Sequence, residues 1–224
     1  MYQIKKLSLL AMALAASSAF AAPVSPFGTF GPQPGITWGG SGIPNDAVMS
    51  TTLTNGTAGS VLLALSATQR YFNPPLGNDG NGIFQAVAGA DVGPPAPPGG
   101  DNNFSRWNFN FHVDVTGTPD YTYMLYVDLN RAFNNELSDY IGVALGSGDI
   151  QDSSNFGWTT TLAQFDPSAA GQYGFYLAAF DQAGTEVGHT AILVEVNAVP
   201  EPATLGLVGL AMLGVVGVSR RKRG

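Results

Sequence analysis

The chain contains no cysteine. That excludes a disulfide scaffold, a thiolate nucleophile and any Cys-ligated zinc or iron–sulfur centre. Basic residues are nearly as scarce. Nine Lys and Arg stand against sixteen Asp and Glu in 224 residues, for a formal charge of −7. Six of the nine lie at the two ends, as Lys5, Lys6, Arg220, Arg221, Lys222 and Arg223, which leaves Arg70, Arg106 and Arg131 in between. A nucleic-acid surface needs clustered cations to replace counterions, so nucleic acid is excluded as a partner. Histidine occurs twice, as His112 and His189. No His-Glu-x-x-His zinc motif, Gly-x-Ser-x-Gly elbow or phosphate-cradling loop with a following Lys-Ser/Thr is present. The chemistry left open to an enzyme is a carboxylate pair of the glycosidase kind, whose separation sequence does not show. The expectation is a protein that is not an enzyme, with no obligatory cofactor.

The basic clusters at the ends each abut an apolar run. Lys5-Lys6 precedes Leu7–Ala16, ten residues that as a helix reach about 15 Å, too short to hold a bilayer. Ala19-Phe20-Ala21 then supplies the small-x-small pattern of a signal peptidase site. Residues 1–21 are thus expected to be a secretory signal peptide, helical in its apolar part and cut after Ala21. Ala203–Val218 carries no charge over sixteen residues, about 24 Å of helix against a hydrocarbon core of about 30 Å. With Ser219 and snorkelling arginines it predicts a single transmembrane helix over 203–219 and a basic tail over 220–224 that stays cytoplasmic.

Immediately before that helix stands Val199-Pro200-Glu201-Pro202. Pro-Glu-Pro, a short Gly/Leu/Val-rich span and an Arg-rich terminus, in that order, resemble the PEP-CTERM sorting signal of Gram-negative bacteria. The resemblance covers about residues 199–223. It implies processing by an exosortase, a membrane-embedded cysteine transpeptidase, with transient anchoring in the inner membrane. The final location it implies is the cell surface or extracellular matrix, alongside exopolysaccharide and biofilm. By the same resemblance Pro200, Glu201 and Pro202 are the recognition element, and Arg220, Arg221, Lys222 and Arg223 the stop-transfer cluster. Two prolines also hold the junction extended and poor in backbone donors, open to a protease.

The segment between the labels has two textures. Residues 22–103 hold eleven Pro and fifteen Gly, whereas 104–199 hold two and nine. Residues 22–46 read as an extended Pro/Gly-rich arm and 73–103 as a loose loop, with polyproline-type extension at Gly93–Gly100. Asn55-Gly56 predicts a hairpin between Ala47–Thr54 and Ser60–Thr68. Trp107, Phe109, Phe111, Val113 and Val115 alternate with polar residues. After Thr118-Pro119-Asp120, so do Tyr121, Tyr123, Leu125, Val127 and Leu129. This predicts a second hairpin. Further strands are expected at Asp139–Leu145, Phe156–Phe165, Gln172–Asp181 and Thr190–Val196. The fold expected over 47–198 is mainly β, an antiparallel β-sandwich of jelly-roll type with about eight strands.

If Trp107–Leu129 is a hairpin, Val115 faces Tyr121, Asn110 faces Tyr126, Asn108 faces Asp128 and His112 faces Met124. Arg106, Asn108, Asn110, His112, Tyr126 and Asp128 then share one surface. Amide, aromatic and carboxylate groups together suit a sugar, so a carbohydrate-binding module is the alternative reading; the same residues also make an ordinary solvated sheet face. Structural Ca²⁺ is the one metal considered, at Asn78-Asp79-Gly80-Asn81-Gly82 and at Asp149, Asp152 and Asn155. Asp, Asn and Gly are equally the common turn formers. Freed of its labels, the exported segment 22–199 holds fifteen acidic and three basic residues, a formal charge of −12.

Overall fold

The computed structural model describes residues 24–40, 42–70, 76–90, 104–128, 130–132, 136–156 and 166–198. Among them there is no α-helix, only a 3-10 turn at Leu137–Asp139, and no helix long and apolar enough to cross a membrane. The signal peptide with Ala19 and Ala21, the Pro-Glu-Pro element, the apolar run after it and the basic cluster all lie outside the described residues.

Eleven strands form two sheets. The first sheet contains β1 (Thr29–Gly31), β2 (Val48–Thr54), β3 (Gly59–Gln69), β6 (Trp107–Gly117) and β9 (Ile150–Ser154), hydrogen-bonded in the order β1-β2-β3-β6-β9. The second has the order β4-β5-β11-β10-β7-β8. Its strands are β4 (Gly77–Asn78), β5 (Ile83–Val87), β7 (Thr122–Asp128), β8 (Tyr140–Gly146), β10 (Gly171–Phe180) and β11 (Glu186–Asn197).

The alternation that predicts the strands also builds the core. Val61, Leu63, Leu65 and Ala67 of β3 and Trp107, Phe109, Phe111 and Val113 of β6 point inward. They meet Tyr173, Phe175 and Leu177 of β10 and Ile192, Val194 and Val196 of β11, so the two sheets pack face to face. Trp107 touches Phe156 edge-on with centroids 5.4 Å apart, and Phe109 stacks on Phe175 at 4.7 Å. Such offset and edge contacts add about 0.5–1.5 kcal/mol per pair beyond area burial.

The Asn55-Gly56 hairpin forms as expected, with Thr54 opposite Ser60 and Ser50 opposite Ala64. The expected strands near 140–146, 171–180 and 186–197 are present as β8, β10 and β11. The hairpin expected over Trp107–Leu129 does not form. β6 pairs with β3 and β9, whereas β7 pairs with β10 and β8 in the other sheet. The reason lies at the crossover. Gly117 stays in the ladder opposite Gly59, and the Thr118 amide donates to the Ala58 carbonyl at 2.7 Å. Asp120 is gripped by the Gln182 amide in the β10–β11 turn. The chain thus steps across the core instead of folding back.

Three more expectations need correction. The second sheet is mixed, because β5 runs parallel to β11. The loose loop 73–103 contains β4 and β5, with Phe84 and Ala86 in the core. The arm 22–46 contributes β1, and its Ile36 and Trp38 pack on the outside of the first sheet with Val48 and Ala64. The strand expected at Phe156–Phe165 lies beyond the described residues except for Phe156. What precedes it, expected as a turn and metal loop, is β9.

The N-terminal segment joins both sheets. Phe27 and Ala191 exchange two backbone hydrogen bonds of 3.0 Å at the second sheet, and Thr29 two residues later pairs with Ser50 of the first. The pivot is Gly28, at φ 132°. A Cβ there would lie 2.7 Å from the Ser50 carbonyl oxygen and 3.0 Å from Thr190 Oγ1, so glycine is required.

Candidate functional site

The outer face of the first sheet carries polar side chains where a solvated sheet would need none ordered. β3 contributes Ser66 and Thr68, β6 contributes Asn108, Asn110 and His112, and β9 contributes Gln151 and Ser153. The register places Thr68 opposite Asn108, Ser66 opposite Asn110, and Ser153 opposite Asn110 on its other side. Neighbours are tied laterally. The Asn110 amide donates to Thr68 Oγ1 at 3.0 Å, and that of Asn108 donates to Ser153 Oγ at 3.2 Å. Asn155, fully buried, fixes this face from its end: its Nδ2 lies 2.9 Å from Asn108 Oδ1 and 2.8 Å from the Trp107 carbonyl, while its Oδ1 accepts from the Ser105 amide at 3.0 Å.

Over this face folds the arm. Trp38 is buried, donates from Nε1 to the Pro44 carbonyl at 3.0 Å, and lies edge-on to His112 with centroids 6.2 Å apart. His112 Nδ1 lies 2.8 Å from the Thr37 carbonyl and must carry the proton there, because a carbonyl only accepts. Thr37 Oγ1 donates to Gln151 Oε1 at 2.5 Å. Between arm and sheet opens a cleft of about 510 Å³, within the size range of small-ligand sites, about 300–1,000 Å³. The glycines 39, 40 and 42 form one wall, and Gln69, Arg70, Asn108, Asp152 and Ser153 line the other. The Arg70 guanidinium carbon sits 4.0 Å over the Phe104 ring. Asp152 is exposed, its two oxygens accepting from the Ser153 amide and the Ser154 hydroxyl, both at 2.8 Å. The cleft thus offers hydroxyl, amide, carboxylate and guanidinium groups whose positions are set by the sheet. These are partners for a polyol.

The six residues expected on one face are divided. Asn108 lines the cleft, and Asn110 is buried beside it. His112 borders a second hollow of about 290 Å³ with Asp114, Asp149 and Gln151. Arg106 precedes β6, with its side chain beside Gly89. Tyr126 and Asp128 lie on the outer face of the other sheet, because β7 belongs there. Tyr126 donates to the Met124 sulfur and meets Tyr176 edge-on, and Asp128 is fully buried. Trp38 and Asp152 line the cleft instead; the sequence reading assigned Trp38 to no site and Asp152 only to a calcium loop. A tryptophan set among glycines at Trp38-Gly39-Gly40 was the available signal.

The calcium loops are spent on other bonds. Asp149 accepts the Val115 amide at 2.7 Å, Asp152 lies within β9, and Asn155 is the buried anchor described above. Asp79 accepts the Asn81 and Ile83 amides at 2.8 and 2.9 Å. Desolvation opposes its ionisation, but the hydrogen bonds it accepts together outweigh it and hold its pKa below the ordinary value. Among the described residues no three His, Cys, Asp or Glu side chains are grouped as metal ligands.

Comparison with protein families identifies the PEP-CTERM protein-sorting motif at residues 198–223. The chain therefore carries the tail on which an exosortase acts, and it is an exported chain sorted at the membrane of a Gram-negative bacterium. No curated protein matches the chain.

Proposed function

We propose that the protein is a non-enzymatic component of the cell surface or extracellular matrix. Its address is written in the C-terminal tail and its cargo is the acidic β-sandwich. The sorting motif at residues 198–223 carries this reading. The signal peptide at 1–21 takes the chain across the inner membrane, the apolar run holds it there briefly, and exosortase cutting near Pro200-Glu201-Pro202 releases or transfers residues 22–199. Fractionation of cells with and without the exosortase tests it. Surface or medium recovery of a shortened chain, lost without the enzyme, is expected; an intact tail on the surface protein overturns it.

The cleft supports a finer reading, in which the sandwich holds a neutral polysaccharide of that matrix. With the exported segment at −12, an anionic polymer is repelled, whereas uncharged hydroxyls are not. Asp152 is the one carboxylate among the described residues lining the cleft, and a hydrolytic acid pair would need two. Loss of glycan retention in Asp152→Ala with unchanged melting, and in Asn108→Ala at a temperature where that variant is still folded, is the expected result. Retention equal to wild type removes the cleft as the binding site.

A further inference from the structure

On the outer face of the second sheet a carboxylate is buried with no counter-charge against it among the described residues. Asp128, the last residue of β7, has no exposed surface, and Tyr140, the first residue of β8, lies directly across the ladder from it with 9% exposure. The Asn130 amide donates to Asp128 Oδ1 at 2.7 Å, and Asp128 Oδ2 has no hydrogen-bond partner among the described residues. Among them the Tyr140 hydroxyl has none either. Its position is fixed, since it occupies the space a Cβ on Gly174 would need. A second carboxylate stands beside this pair: the Asn130 side-chain amide donates to Asp139 Oδ2 at 2.7 Å, so one asparagine bridges both acids.

The electrostatics are unfavourable as they stand. Burial pushes the Asp128 pKa up to about 6, against the lowering effect of the Asn130 amide, and the like charge of Asp139 pushes the same way. Burial also raises Tyr140, with Asp128 and Asp139 adding to it. Arg131, the basic residue nearest in sequence, acts on Tyr173 instead. Around the pair lie Tyr176, Ala178 and Leu137, which give little polar compensation. A buried anion is tolerated when it is paired, protonated or coordinated to a metal.

We propose that Asp128 and Asp139, bridged by Asn130, form a divalent-cation site closed by Tyr140, with Ca²⁺ as the ion it takes. Hard oxygen ligands are what Ca²⁺ accepts, and two carboxylates with the Tyr140 hydroxyl oxygen, the Asn130 side-chain oxygen being taken by the Ala132 amide, suit the weak class of extracellular sites, with Kd of about 10⁻⁴–10⁻³ M. An ion there supplies the missing partner for Asp128 Oδ2, offsets the Asp128–Asp139 repulsion and pins the β7–β8 connection to the sheet. The unpartnered, fully buried oxygen distinguishes this place from the Asp79 and Asp149 loops, where the carboxylates are exposed and one oxygen of each already accepts backbone amides. The proposal is independent of the cleft.

The test uses the full-length protein in detergent, melted at pH 7.5 with millimolar CaCl₂ or with EDTA, and titrated with Tb³⁺, whose emission tyrosine sensitises. A rise in melting temperature with Ca²⁺ and saturable Tb³⁺ emission displaced by Ca²⁺ are expected, both lost in Asp128→Asn. If Asp128→Asn does not fold, Asp139→Asn, at a half-buried position, is expected to weaken Ca²⁺ binding at least tenfold. Equal melting in Ca²⁺ and EDTA without Tb³⁺ emission overturns the site, as does a calcium response that survives both substitutions. Stabilisation by acid alone, with no response to Ca²⁺, assigns a proton to Asp128 and also overturns it.

Discussion

Two residues on the outer face of the second sheet show how little tolerance the fold has there. Gly174 needs no unusual backbone angle; it is glycine because the Tyr140 ring lies on it. A Cβ would fall 1.7 Å from the tyrosine oxygen and 2.6 Å from Cζ. Gly174→Ala is therefore expected to displace Tyr140 and cost about 1–3 kcal/mol, the usual penalty of overpacking. Urea denaturation checks it, and the cost should shrink in Tyr140→Ala/Gly174→Ala, where the obstruction is gone. Glu186 is the second. Its Oε1 receives the Tyr176 hydroxyl and His189 Nδ1, both at 2.7 Å, and the His189 ring stacks on Tyr176 at 4.4 Å. Burial pushes its pKa up, but the hydrogen bonds from His189 and Tyr176 prevail and leave it below the usual 4.5. A depressed carboxylate stabilises the fold above its unfolded pKa, and that contribution is lost as pH falls through the folded value. Melting temperature is expected to drop as pH is lowered below about 4.5, with a shallower drop in Glu186→Gln. Parallel pH profiles in the two proteins would refute the assignment.

At the scale of elements, Asn155 holds β9 to the start of β6. Its side chain serves the Ser105 amide, the Trp107 carbonyl and Asn108, all buried or nearly so. Asn155→Ala removes these bonds, takes from the buried Ser105 amide its acceptor and is expected to cost about 2–3 kcal/mol, read from the denaturation midpoint. Asp152→Asn on the same strand should change stability by less than about 0.5 kcal/mol, because Asp152 is exposed. This contrast also marks where sequence was sufficient. Period-two alternation revealed the strands β6 and β7 and which of their residues face the core, since burial of alternate side chains is a local property. It did not reveal their partners. Pairing depends on contacts made from other parts of the chain, here Ala58 with Thr118 and Gln182 with Asp120. A four-residue link containing Pro119 reads the same whether the next strand returns to the same sheet or crosses to the other. That one difference separated Tyr126 and Asp128 from Asn108 and Asn110. β9 escaped notice because Ile150–Ser154 is rich in residues that also form turns. The Asn55-Gly56 hairpin was legible because its turn chemistry and its pairing are both local.

At the scale of the whole molecule, a C-terminal sorting motif follows directly on an acidic β-sandwich. The ends are basic and apolar, the middle acidic and folded, and the C-terminal sorting motif was legible because it is one-dimensional, an order of motif, apolar run and basic cluster along the chain. The cargo's ligands depend on side chains brought together from residues 38 to 153, a distance that composition does not bridge. The −12 charge of the exported segment should keep it soluble, and it makes the buried Asp128 harder to ionise without a cation nearby.

The last strand of the sandwich has a mechanical consequence. β11 ends at Asn197 and the sorting motif begins at residue 198, so the strand leads directly into the motif. β11 is an interior strand, bonded to β10 along nearly its whole length on one side. On the other side it is bonded to β5 and Phe27. Tension applied through the C-terminal attachment runs along the strand axis and loads both ladders in shear, so many bonds must yield together rather than one after another. Pulled from residue 198 against the N-terminus in a force spectrometer, the domain is expected to resist more than when pulled through the edge strand β8. Equal rupture forces would show that the load is not carried by the β11 ladders.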